Sequence, residues 1–370
     1  MQFCEYTSML NYHNVVNALK KFDENNKDKI SWYATEKIHG TNYSLLCDGF
    51  SVLPCKRTSE LNGEKDATFF NHTTILNKYK NDVLTIFNYI KLQNLNVTQI
   101  QLFGELFGGN YGGVHINNSK CVQKKMNYHP DNEFMCFDLL VTVTNKSNYP
   151  NESFYYDFEK LIELLKKIKS HDNTFSLKMV PIIANGTLTE MLNLNVENDS
   201  VVSSHFNIDF ANLNIDDSKI KKISEGYVIR TNNEMYYENK NHKYRTIFKY
   251  KNKYFLEIKC GEENINTNQN SLNKKVNTNV NAKTECINKM SLYITDARYE
   301  NVYSKLSEDE QNDNNTIIVK MYKDIEKDFI IDHTDIESGK IDEIYNINNI
   351  NSNAIKGKLK RFIEKMKKRK

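Results

Sequence analysis

Apolar residues recur at helical spacing near the start of the chain, where Val15, Val16, Ala18, Leu19 and Phe22 share one face ahead of the polar stretch from Asp23 to Lys29. Short runs rich in β-branched and aromatic residues, bounded by Gly, Asn or Asp, then predict strands over 32–36, 43–47, 99–103, 134–143, 226–230, 246–250 and 254–258. Between them the 3.6-residue period returns over 158–168, through Leu161, Leu164, Leu165 and Ile168, and more weakly over 188–194. From Gly261 to Lys283 the chain turns Asn-, Lys- and Thr-rich with little apolar content, which reads as a linker. Periodic apolar positions resume over 290–306, 317–331 and 359–366. The pattern predicts an α+β chain: antiparallel β-sheets with flanking helices over 1–260, a linker over 261–283, and a small helical domain over 284–370.

Composition adds little to this picture but removes alternatives. With 26% charged and 39% hydrophobic residues the chain is globular rather than disordered. The net charge of +3 is too small to announce a polyanion partner, so any nucleic-acid surface must come from local clustering. One such cluster is the run from Lys356 to Lys370, where Leu359, Phe362, Ile363 and Met366 are spaced as an amphipathic helix among Lys and Arg. It reads equally as a solubilising tail or as a contact to a nucleic-acid phosphate backbone. Seven scattered cysteines without a CxxC pair argue against a disulfide framework and a zinc knuckle. No uncharged apolar stretch approaches the ~18 residues of a membrane span, and the first residues carry no secretory pattern. A soluble, intracellular monomer is the expectation.

Candidate chemistry begins at Glu36-Lys37-Ile38-His39-Gly40-Thr41-Asn42, which puts a lysine at a strand end before a glycine that permits a tight turn and close approach to a ligand. Alone, this is an ordinary turn lysine. Downstream follow Lys56-Arg57-Thr58, Phe103-Gly104-Glu105-Leu106-Phe107-Gly108-Gly109, Phe134-Met135-Cys136-Phe137-Asp138, Glu225-Gly226-Tyr227-Val228-Ile229-Arg230 and Phe248-Lys249-Tyr250-Lys251. In order and spacing these resemble the motifs of the covalent nucleotidyltransferases, which comprise DNA ligases, RNA ligases and mRNA capping enzymes. The match is closest to the RNA ligase 2 family, the phage ligases of that name and the kinetoplastid RNA-editing ligases. The His39 position separates that branch from DNA ligases and capping enzymes, which usually carry aspartate there. The resemblance runs from the region of Tyr6 to about Ile258, and more loosely over Leu292 to Leu306.

The resemblance implies a nucleotidyltransferase (ATP-grasp-like) ligase domain, ATP and Mg²⁺ (with Mn²⁺ as a substitute) as cofactors, and RNA, as a nicked duplex, as partner. It implies Lys37 as the nucleophile that carries AMP, Glu105 as a ribose contact, Phe137 as the aromatic stacked on adenine, and His39 as a phosphate contact. Glu36, Ile38 and Asn42 fall beside the nucleophile. Elementary chemistry agrees with several of these roles. A lysine that attacks phosphorus must be unprotonated, which burial beside Lys249 and Lys251 favours. Those lysines and a divalent metal offset charge on the phosphates. Glu225 at a strand start is the candidate metal ligand, since Mg²⁺ takes few protein carboxylates, and Arg57 offers a forked donor pair. Two rivals remain: an mRNA capping guanylyltransferase using GTP, and a catalytically idle RNA-binding protein on the same scaffold.

Overall fold

The computed structural model describes residues 1–26, 29–62, 66–67, 69–124, 126–144, 151–239, 242–252, 255, 286–333 and 352–368. In chain order these form β1 (Leu10–Asn11), α1 (Tyr12–Asn26), β2 (Trp32–Glu36), β3 (Thr41–Cys47), β4 (Val52–Lys56), β5 (Ser59–Glu60) and α2 (His72–Gln93). Next come β6 (Val97–Asn110), β7 (His129–Val143), β8 (Glu152–Tyr155), α3 (Phe158–His171), β9 (Lys178–Met179), β10 (Ile182–Gly186) and α4 (Leu188–Leu192). β11 (Gly226–Thr231), β12 (Tyr236–Asn239), β13 (His242–Arg245) and β14 (Ile247–Lys251) complete the strands. The expected strand over 254–258 lies outside the described residues except for Phe255, and so does the expected linker over 261–283.

Two sheets organise the first compact unit, residues 1–237 with 243–252. One has the order β1-β14-β11-β2-β10; the other runs β5-β4-β3-β6-β7-β8, with β9 added beside β7. Pairing is antiparallel except at β1–β14 and β7–β9. The longer strands are buried on both faces, and their successive side chains divide between the two. On β14, Phe248 and Tyr250 pack with Val15 and Leu19 of α1, which leaves Lys249 and Lys251 for the opposite face. On β3, Tyr43, Leu45 and Cys47 face a core built with Ile75, Tyr79, Val83 and Ile86 of α2. Asn42 and Ser44 therefore face the other way. The chain crosses between the sheets twice, in the turn from β2 to β3 and in the short link from β9 to β10. Both crossings line the site described below.

The strands expected over 32–36, 226–230 and 246–250 stand within a residue or two of their places, whereas the run expected over 99–103 is the middle of the long β6. Helix α2 answers to no expected element. Its apolar stripe at Ile75, Tyr79, Val83, Ile86 and Ile90 is helical in spacing, but Asn77, Asn81 and Asn88, poor helix formers, dilute it.

The second unit is residues 238–242 with 253–370. From residue 286 on its described part is helical: α5 (286–292), α6 (Asp296–Tyr303), α7 (Glu308–Asn312), α8 (Asn314–His333) and α9 (Ser352–Lys367). The run expected as one helix over 290–306 is two, because Thr295 caps α6 by accepting from the Arg298 N–H at 3.1 Å. Ile355, Leu359, Ile363 and Met366 of α9 bury into a core with Met290, Ile317, Met321 and Phe329. Among the described residues no helix is long and apolar enough to cross a membrane.

Candidate active site

The candidate lysine stands where β2 ends. Its backbone N–H donates to the Gly226 carbonyl at 2.8 Å, and that of Glu36 to the Pro181 carbonyl at 2.8 Å. The first bond ties the backbone of the candidate lysine to the start of β11, and hence to Glu225. Gly226 has φ 128°, and a Cβ there would collide with the Tyr250 carbonyl oxygen, so glycine is required.

At the centre is one carboxylate among three basic groups. Lys37 Nζ donates to Glu225 Oε2 at 2.7 Å, His39 Nδ1 lies 3.1 Å from the same oxygen, and Lys251 Nζ lies 3.2 Å from Oε1. The Glu225 side chain is 2% exposed. Burial alone would raise its carboxyl, but the charges of Lys37 and Lys251, with His39, hold it well below the usual carboxylate range. Glu225 stands between the two lysines and compensates them.

A second sheet supplies the facing wall. Asn42 on β3 pairs in register with Glu105 on β6, and Glu105 Oε1 accepts the Gly40 N–H at 3.0 Å. A Cβ on Gly40 would strike the Leu106 carbonyl oxygen and the Glu105 side chain, so this turn can pass only as glycine. Ile38 is buried. Phe137 is the extra residue of a β-bulge: Phe103 pairs with Asp138 and Gly104 with Cys136, leaving Phe137 unmatched. Its half-exposed ring lies edge-on to Tyr6, with centroids 5.1 Å apart.

Arg57 is the exception. It sits on the exposed turn between β4 and β5, where Nη2 donates to Ser8 Oγ at 2.8 Å and Nε lies 3.7 Å from Glu5. The structure brings Lys37, His39, Glu225 and Lys251 into direct contact, sets Glu36, Asn42, Glu105 and Lys249 on the bordering strands, and leaves Arg57 engaged by the N-terminal segment.

The model of the RNA ligase family matches residues 30–251, well over half of the chain. The chain belongs to the RNA ligase family. Among solved structures it is similar to variants of Naegleria gruberi RNA ligase. One with AMP and manganese has 17% identity and a TM-score of 0.39, covering 67% of this chain and 57% of that one. Another, with ATP and manganese, has 19% identity, a TM-score of 0.39 and coverage of 67% and 56%. The chain thus spans less than two thirds of the length of those ligases.

Several residues at this family's site escaped the sequence reading. His39 N–H donates to the Tyr128 hydroxyl at 3.1 Å, and Gln123 Nε2 donates to the Gly40 carbonyl at 3.1 Å, so the segment before β7 braces the Lys37–Gly40 turn. Behind Phe137, Asp138 receives Tyr6 Oη at 2.8 Å, Arg245 Nη2 at 2.8 Å and Arg230 Nη2 at 3.2 Å. Burial would raise Asp138, and the two arginines hold it low. This compensated cluster pins β7 of one sheet to β11 of the other.

Glu36 is the uncompensated acid. Oε2 accepts the Val201 N–H at 2.9 Å, while Oε1 is buried without a hydrogen-bond partner. Burial pushes its carboxyl up to about 7, against the lowering effect of Ser200 and Val201. An acid raised on folding keeps its proton in the folded state over a window where the unfolded chain has lost it, so stability falls as pH rises from about 4.5 to about 7. At 1.36 kcal/mol per unit this amounts to about 3 kcal/mol above pH 7, to order of magnitude. Urea unfolding of Glu36→Gln against the parent should show that part of the pH dependence removed. Parallel stability curves for the two proteins from pH 5 to 8 would disprove the assignment.

Proposed function

We propose that this chain is an ATP-dependent RNA ligase that joins a 3′-hydroxyl to a 5′-phosphate through a covalent Lys37–AMP intermediate. The observation that carries the reading is the Lys37–Glu225–Lys251 cluster between two sheets of a chain in the RNA ligase family. In the first step Lys37 Nζ bonds to the α-phosphorus of ATP while the bond to the β-phosphate oxygen breaks and pyrophosphate leaves. A 5′-phosphate oxygen of RNA then displaces the lysine and takes the AMP. Finally the 3′-hydroxyl attacks the 5′-phosphorus, and AMP leaves as the phosphodiester forms.

Glu225 fits a divalent cation, because a buried carboxylate compensated only by side-chain cations can exchange one for a metal that keeps most of its waters. Mg²⁺ or Mn²⁺ held there would supply positive charge at the phosphate oxygens. Lys249 and Lys251, on one face of β14, attract the negative charge that builds as pyrophosphate departs. Glu105 takes the ribose and Phe137 the adenine face; the unpartnered Glu36 Oε1 and Asn42 add polar contacts to the nucleotide, and His39 contacts a phosphate. Arg57 reaches the nucleotide only by giving up Ser8 and Glu5. The enzyme works as an intracellular monomer.

The direct test is ligation of 5′-labelled RNA with ATP and Mg²⁺, comparing a nicked duplex with a single strand bearing the same 5′-phosphate. The expected products are AMP-capped and joined RNA, with the duplex favoured. GMP labelling from GTP would point to a capping enzyme, and absence of any nucleotide adduct to an idle scaffold.

The domain assignment gives a separate prediction. A protein ending near residue 260 keeps every motif and should still label itself with AMP. Its sealing should fall about a hundredfold, the scale of loss for an RNA end misplaced by ~1 Å. Mobility shifts should report weaker RNA binding. Undiminished sealing would leave the RNA grip entirely with residues 1–260.

A further inference from the structure

The face that carries Asn42 and Glu105 continues to a cation that none of the motifs includes. Across the sheet, Asn42 pairs with Glu105, Glu105 with Met135, and Met135 with Lys178 on β9. These four residues form one rank, and three strand spacings of ~4.8 Å place the Lys178 backbone roughly 14 Å from that of Asn42. Leu177 and Met179, on either side of Lys178, pack on the α2 core, so Lys178 faces away from that core, as Asn42 does.

The surroundings of Lys178 differ from those of the basic groups at the Lys37 cluster. Lys37, His39 and Lys251 share Glu225, and Arg230 and Arg245 share Asp138 and Glu234. Among the described residues no carboxylate lies within ion-pairing distance of Lys178; its ammonium stands 5.6 Å from the Phe206 ring centroid. Phe206 in turn packs against His129 at 5.0 Å and Phe107 at 6.0 Å, and Phe107 against Tyr128 at 5.6 Å. Tyr128 accepts the His39 N–H, so one continuous wall runs from the candidate nucleophile to Lys178. His205 is exposed and precedes Phe206 in the chain, and after partial burial the charge of Lys178 is the second influence lowering its imidazole. A solvent-accessible lysine without a carboxylate partner among the described residues, set over an aromatic ring whose chain neighbour is a histidine, is the chemistry of a phosphate contact.

We propose that Lys178, above Phe206, holds a backbone phosphate of the RNA strand one or two nucleotides from the end being joined, with His205 as an auxiliary contact. The assignment rests on the RNA-ligase reading and adds to it an RNA subsite outside the motifs. ATP's phosphate tail offers the same oxygens, and the two sources are separable by experiment.

Lys178→Ala, His205→Ala and Lys178→Arg are compared with the parent for affinity to a 5′-phosphorylated nicked RNA duplex, by fluorescence anisotropy over a range of salt. Expected are a several-fold weaker affinity for Lys178→Ala, irrespective of RNA sequence, and a salt slope shallower by about 1, because one fewer counterion is released. His205→Ala weakens binding less, and Lys178→Arg restores it. Unchanged affinity and slope in Lys178→Ala, with a native circular dichroism spectrum, would overturn the proposal. So would a rise in the KM for ATP during self-adenylylation without loss of RNA affinity, which would assign the phosphate to the nucleotide. If the parent formed no AMP adduct, the ligase reading would fall, while the binding slopes would still decide the subsite.

Discussion

Lys37→Ala protein incubated with ATP labelled at the α-phosphate should carry no radioactivity, whereas the parent should run as a labelled band that survives denaturation. The expectation follows from the arrangement of amines at the site. Lys251 is bonded to the opposite oxygen of Glu225 and leaves from a different strand, so it is not placed to attack in the line Lys37 would use. Effective molarity for a correctly oriented nucleophile reaches ~10⁵ M or more, and a displaced amine forfeits that factor. The same variant offers an internal control. Displacement of AMP by the 3′-hydroxyl does not use Lys37 as a nucleophile, so RNA already capped with AMP should be joined by Lys37→Ala, although more slowly because a phosphate contact is lost. An adduct retained in the variant, or formed in the parent preferentially from GTP, would reject the proposed chemistry.

How much of this was visible in the chain depends on the distance over which each feature is written. Strands β2, β11 and β14 declare themselves locally, as short runs rich in β-branched and aromatic residues; they carry Glu36, Lys249 and Lys251, and Glu225 stands immediately before β11. The pairing of Lys37 with Glu225 spans 188 positions and no local period encodes it. It was legible only through the resemblance of motif order. The Phe137 bulge is written only faintly in the chain. Residues 134–143 read as one uninterrupted strand, yet the core-facing set switches from Phe134 and Cys136 to Leu139 and Val141 across Phe137. That change of phase is itself a weak sequence signal, since an unbroken strand would keep one parity. Tyr128 and Gln123 were missed because single polar side chains that brace a turn from a remote segment have no periodicity and match no motif. Arg245, just before β14, was passed over for the same reason, although its bonds to Glu234 at 2.6 and 2.8 Å fix one side of the Asp138 cluster.

Glu225→Gln is the second change expected to have a large effect, and it separates catalysis from folding. An amide keeps the shape and one acceptor oxygen but removes the charge that Lys37, Lys251 and His39 share. Losing a preorganised electrostatic contact of this kind typically costs ~10²–10³ in turnover. Self-adenylylation should therefore fall by about that factor at saturating ATP, with little recovery as Mg²⁺ or Mn²⁺ is raised. Stability moves in a direction that the titration of Glu225 dictates. Its carboxyl is held well below its ordinary value of 4.5, so its stabilising contribution is fully present above pH ~4.5 and disappears as pH falls through the lower folded value. Urea unfolding should find Glu225→Gln less stable than the parent at pH 7, with the gap narrowing under acid. Glu225→Asp, which keeps the charge on a shorter arm, should recover most of the stability and little of the activity, because metal and phosphate positions tolerate small displacements poorly. Normal turnover by folded Glu225→Gln would remove Glu225 from the metal site and leave it only the structural work of compensating two lysines.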